Sequence, residues 1–301
     1  HKDGATLPLG MYKVNDAKLA ELEKNPLRAS GTGFGTFQNA EFIHMSDLEE
    51  LKSTLNSNGY DINASGKLDV KTGKNTNLTF GGSYNMYSGN NYSFYNSVFN
   101  YNRNSYSQGN TWRVFGRFTQ RFPASKEGNN RIKNIYYSIQ ADYTSIEYKT
   151  EDPVLKDNLF SYGYVGKFDT YKAKGYDATL DTTGGNLLLR LNMNGFADTL
   201  VTYQRAEFNP VLANYTSNFY DLYPNPNRID DIYQGGGMLN GYTPNGVFSG
   251  VYSLWSAPGN QQAGYGKNFT QQITANMNFS ADIGNHEIKL GFTFERYSQS
   301  S

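Results

Sequence analysis

From residue 60 onward apolar and polar side chains alternate with a period of two, the signature of a half-buried strand. In YDINASGKLDVKT, Ile62, Ala64, Gly66, Leu68 and Val70 oppose Asp61, Asn63, Ser65, Lys67, Asp69 and Lys71. After the turn GKNT, Leu78, Phe80, Gly82, Tyr84 and Met86 continue the pattern, which predicts a tight hairpin. TWRVFGRFTQRF sets Trp112, Val114, Phe118 and Phe122 against Arg113, Arg117 and Arg121. PASKEGNNRIK turns the chain into a strand carrying Ile135, Tyr137, Ile139, Ala141 and Tyr143. A third hairpin alternates from Phe269 to Ile283, turns at Gly284 and Asn285, and returns through Ile288, Leu290, Phe292 and Phe294. Before residue 60, Asp16 is placed to cap a short helix through Leu19 and Leu22, and Ser46 with Glu49 forms the S-x-x-E box of a second helix. Residues 149–264 are irregular and rich in Gly, Asn, Pro and Tyr, with LLLRL and TLVTYQ suggesting some strands.

Charge sharpens the alternation. Thirty-three positions from Ile62 to Phe294 make up the apolar parity of the six strands, and none is Asp, Glu, Lys or Arg. The opposite parity carries twelve charges: Asp61, Lys67, Asp69, Lys71, Arg113, Arg117, Arg121, Asp142, Asp282, Glu287, Lys289 and Glu295. A split this complete arises by chance roughly once in a hundred trials. One face is dry and the other wet, as in a soluble sandwich or a membrane barrel. The connections GKNT, PASKEGNNRIK and GN are short and share one end of the strands, whereas Gly89–Asn110 and Lys149–Gly264 are long and share the other. That asymmetry favours a barrel with short periplasmic turns and long extracellular loops. Trp112, Phe122, Tyr84, Tyr87, Tyr143 and Tyr148 near strand ends are candidates for its interfacial girdles.

Composition fits this picture. Twenty-seven basic and 27 acidic residues cancel, which argues against a nucleic-acid partner. Mean hydropathy is −0.66, with 35 Asn and 15% aromatic residues, and no apolar window is long enough for a membrane helix. The absence of cysteine excludes disulfides and cysteine-ligated metals.

The chemistry-bearing residues point to contact rather than catalysis. Arg113, Arg117 and Arg121 share one polar face at steps of about 13 Å, with Asp142 on the neighbouring strand. They are lumen-facing candidates that either meet an anionic substrate or a plug, or pair with Asp61, Asp69 or Asp142; pairing is the favoured expectation. Asp221, Asp230 and Asp231 match no calcium-loop template, and QGGGMLNG lacks the GK[ST] of a phosphate loop. His1, His44 and His286 are dispersed, and no catalytic set stands out, so neither enzyme activity nor a cofactor is expected.

LPLGMYKVND, LAELEKNPLR, GTGFGTFQNAEFIHMSDLEELK, NTNLTFGGSYN and NTWRVFGRFTQRF resemble the barrel region of TonB-dependent outer-membrane receptors of Bacteroidota. The likeness is to the Oar-like branch, which carries an N-terminal carboxypeptidase-regulatory-like domain and is related to the SusC-type importers. It implies a 22-stranded barrel, a plug engaging the TonB complex, a surface lipoprotein partner, outer-membrane lipid, and uptake of a peptide, glycan or metal complex. Neither a plug nor a TonB box is found in this sequence, so an internal barrel segment is expected. The expected fold is therefore all-β: part of an antiparallel transmembrane barrel, with long extracellular loops and two short helices near the N-terminus. Residues 1–59 form a partly helical extracellular segment, 60–148 four barrel strands, 149–264 a long extracellular loop region and 265–301 a barrel hairpin. The alternative is a soluble, secreted β-sandwich that binds carbohydrate or acts as an adhesin.

Overall fold

A computed structural model describes residues 11–124, 131–181, 187–244, 250–261 and 264–301. The chain divides into two compact units: His1–Asn56 with Tyr92–Asn104 and Asp152–Ala263, and Ser57–Asn91 with Ser105–Glu151 and Gly264–Ser301.

In the first unit, β1 (Met11–Val14) leads into α1 (Asp16–Lys24). The N-cap of α1 is Asn15, whose side chain accepts from the Lys18 amide at 2.8 Å; Asp16 occupies the first turn instead. β2 (Leu27–Ala29) pairs with β3 (Thr36–Gln38). The helix expected after Ser46 does not form. Met45–Asp47 makes one 3₁₀ turn, in which the Asp47 carboxylate accepts from the His44 amide at 2.8 Å, and β4 (Leu48–Leu51) pairs with β1. The leucine spacing that suggested a helix is overridden by this backbone pairing, which no local signal encodes.

The second unit is one six-stranded antiparallel sheet. Its first four strands are β5 (Gly59–Lys71), β6 (Thr76–Asn90), β7 (Tyr106–Phe122) and β8 (Ile132–Glu151). Between β8 and the last two strands, the chain contributes to the first unit a long hairpin, β9 (Gly166–Asp181) with β10 (Leu188–Arg205), then α2 (Pro210–Leu222) and α3 (Ile229–Gln234). The stretch expected to be mainly irregular thus contains the longest two-stranded ladder outside the sheet. β11 (Gly266–Ile283) then pairs with β8, and β12 (His286–Ser300) closes the order β12-β11-β8-β7-β6-β5. Every ladder of this sheet joins sequence neighbours once the insertion is set aside. Among the described residues the order ends at β5 and β12, so the sheet is open.

The two units are built on different principles. The first has two hydrophobic cores. One gathers Leu212, Tyr215 and Phe219 of α2 with Val165, Val201, Ile232 and Met238; the other gathers Val14, Leu19, Leu22, Val98, Phe99 and Val251. Among the described residues no member of the six-stranded sheet belongs to either core. Its ladder aligns the apolar parity of all six strands on one face, as in the row Leu78, Phe118, Ile139, Met277, Phe292. Those side chains stand open: Leu68 is 61% exposed, Ile139 43%, Met277 46% and Phe292 60%.

The register also shows that the apolar band is slanted. Gly66, midway along Ile62–Val70, lies in the row Gly82, Val114, Tyr143, Ile273, Arg296. The middle of Ile288–Phe294 is Gly291, five residues before Arg296, so the band has shifted by that much across the five strand spacings from β5 to β12. At about 3.3 Å per residue and about 4.8 Å per spacing, that is roughly 17 Å over 24 Å, an inclination of about 35°. At the turn end, Asn134 adopts φ 50° in a β-bulge, and Lys133 consequently falls opposite Asp282 on the polar side.

Candidate functional site: the polar face of the sheet

The polar face collects the charged parity of the strands. β7 presents Arg113, Arg117 and Arg121 in line, and β8 lays Gln140 and Asp142 beside them. Asp142 is 5% exposed and contacts the Arg113 guanidinium. Gln140 Nε2 donates to Asp142 Oδ2 at 2.8 Å, and Arg117 Nε donates to Gln140 Oε1 at 2.6 Å. A continuous chain Arg113, Asp142, Gln140, Arg117 results. The buried carboxylate therefore has two charged or polar donors, as a buried charge requires.

The three arginines, equivalent by spacing, have different surroundings. Arg113 has the carboxylate and Arg117 the neutral amide. Arg121 has the Tyr136 ring, 5.6 Å from guanidinium to centroid, and its backbone N–H donates to Asn75 O at 2.9 Å. Of the carboxylates expected to pair with the ladder, only Asp142 does. Asp69 instead meets Lys67 Nζ at 2.7 Å and accepts from Thr79 Oγ1 at 2.6 Å, while Asp61 accepts from the Asn63 and Asn85 amides. Sequence reasoning missed Gln140 as the link; its place two residues from Asp142 on one parity was the available signal.

Toward the turn end the face opens into a polar concavity of about 640 Å³, lined by Lys67, Asp69, Lys71, Lys74, Arg117, Arg121 and Tyr136. In the first unit, Asp230 and Asp231 serve α3: Asp230 pairs with Arg228 at 2.9 Å and Asp231 accepts from the Arg228 amide at 3.0 Å. Met238 of the glycine-rich segment is buried, and Thr216 Oγ1 donates to its carbonyl at 2.6 Å. His44 precedes the 3₁₀ turn as its N-cap and His286 begins β12, whereas His1 lies outside the described residues. Among the described residues no three of His, Cys, Asp and Glu converge where they could hold a metal ion.

Fold and site together define a mostly β protein with antiparallel sheets, one of them apolar on one side and charged on the other. Comparison with protein-family models, with curated proteins and with solved structures yields no match to this chain.

Proposed function

We propose that the six-stranded sheet is a membrane-spanning portion of an outer-membrane β-barrel, and that its parent is an energy-coupled receptor of the TonB-dependent type that imports a large nutrient. The observation that carries the first part is the slanted, charge-free and exposed apolar band. Its inclination of about 35° falls within the roughly 35–45° strand tilt of such barrels. Ile62–Val70 spans eight residue steps, about 26 Å along the strand and about 22 Å along the membrane normal at that tilt, close to the roughly 25 Å apolar belt of a barrel. A soluble sandwich would instead bury this face in a core, yet Leu290 and Phe292 stand 64% and 60% exposed. The receptor type rests on the strand and loop motifs NTNLTFGGSYN and NTWRVFGRFTQRF, which occupy β6 and β7. On this reading the Arg113–Asp142 chain faces the lumen, the long connections are extracellular, and plug, TonB complex and lipoprotein act through the rest of the parent.

The chain contains two tryptophans, Trp112 on the apolar face and Trp255 in the other unit. In a Trp255→Phe variant reconstituted into vesicles, Trp112 is expected to emit at short wavelength and to be quenched by lipid brominated near the headgroup boundary. Quenching by aqueous iodide with no response to brominated lipid would sink the membrane assignment.

A further inference from the structure

Among the described residues, the concavity at the turn end of β5, β6 and β7 is lined by more cations than carboxylates. Of the five cations lining the concavity, Lys67 is matched by Asp69, the only carboxylate among the described lining residues, and Arg117 has given one N–H to Gln140. Lys71, Lys74 and Arg121 have no carboxylate partner among the described residues. Their proximity is built into the backbone: the bond from Arg121 N–H to Asn75 O holds the β5–β6 turn, with Lys74 in it, against β7. Lys71 lies in the row of Asn77 and Thr119, one same-face step from Arg121. Two strand spacings and one such step place their Cα atoms roughly 12 Å apart, within converging reach of two long side chains. Like charges gathered this way repel, and an anion seated among them relieves that repulsion while accepting several charge-assisted hydrogen bonds.

We propose that Lys71, Lys74 and Arg121 form a binding site for a multiply charged oxyanion of the phosphate class. Arg121 supplies a planar fork suited to two phosphate oxygens, held over the Tyr136 ring, and the lysines supply point charges from the same lining. Arg117 lines the same concavity. The site depends on the sheet alone and not on what covers the opposite face, so it stands or falls separately from the membrane assignment.

Inorganic pyrophosphate titrated calorimetrically into the full chain in detergent micelles tests it. One saturable site is expected, weakening as salt is raised. The paired variant Lys71→Gln, Arg121→Gln is expected to weaken binding at least about tenfold. Lys289→Gln, on the same face but two strands beyond β8, is expected to stay within about twofold. If the paired variant loses the circular-dichroism signal of the sheet, Lys71→Gln alone supplies the comparison. No saturable binding at or below roughly 1 mM, or equal binding by the parent and the charge-removing variants, overturns the proposal.

Discussion

Ile139 sits midway along the apolar run of β8, between Phe118 and Met277 in neighbouring strands, and is 43% exposed. Replacing it by lysine separates lipid from water as the solvent of this face. If the face meets water, the side chain is already open, and the change stays within about 0.5 kcal/mol, as for most surface substitutions. If the face meets hydrocarbon, a lysine at the midplane costs about 2–4 kcal/mol, roughly 30- to 900-fold in the folding equilibrium. Phe122 supplies the internal control because it is 47% exposed, nearly the same, but lies at the end of the band. There lipid predicts only about 0–1 kcal/mol for Phe122→Lys. An account based on exposure alone makes the two substitutions equal, whereas depth in a bilayer makes them unequal by at least about 1 kcal/mol. Urea titration of the full chain folding into lipid vesicles, followed by heat-modifiable gel migration and tryptophan emission, measures both. Equal costs at the two positions, or no cost at either, would refute the reasoning.

The arginine ladder should respond in graded fashion. Arg113→Gln removes the charged partner of a buried carboxylate and is expected to destabilise by about 1–3 kcal/mol, Arg117→Gln by less than about 1, and Arg121→Gln scarcely at all; denaturant midpoints that fail to follow this order contradict the network. In the first unit, burial raises the Glu23 carboxyl above its ordinary value of 4.5, with Arg103 partly opposing the shift. The folded unit therefore holds that proton more tightly than the unfolded chain, and the associated stability is complete below 4.5 and lost as pH rises through the raised value. Glu23→Gln should flatten that dependence in thermal melts between about pH 4 and pH 8, and an unchanged slope would assign it elsewhere. Asp16 behaves oppositely: hydrogen bonds from Lys13 and then Tyr101 hold its carboxyl below the usual range. Its contribution is present above the ordinary carboxylate value and lost as pH falls through the lowered one, so Asp16→Asn should reduce the acid sensitivity of the same melts. Phe219 is fully buried in the α2 core, and Phe219→Ala is expected to cost about 3–5 kcal/mol; a loss below about 1 kcal/mol would mean that the core collapses around the gap.

Alternation along the chain locates the six sheet strands, their pairing into three hairpins and the separation of charged from apolar faces, although residues 106–110 and 149–151, read as loop, extend β7 and β8. These are legible because a strand's side chains alternate locally, and each side reports its own solvent along the chain. The sequence also placed α1, though one residue off in the cap, since Asn15 and Asp16 are both competent and only backbone geometry chooses between them. The tertiary structure alone turned Leu48–Leu51 into a strand, because its partner, Met11–Val14, lies more than thirty residues away. LLLRL and TLVTYQ became parts of one long ladder with β9, and β8 was joined to β11 across the whole insertion. The site divides in the same way. That Arg113, Arg117 and Arg121 share a face follows from period two. That the first holds a buried carboxylate, the second an amide and the third a ring beside two lysines follows from which strand lies alongside and in what register. A register is set by contacts between distant residues, and a pattern that repeats every two residues is the same for every even shift along the strand.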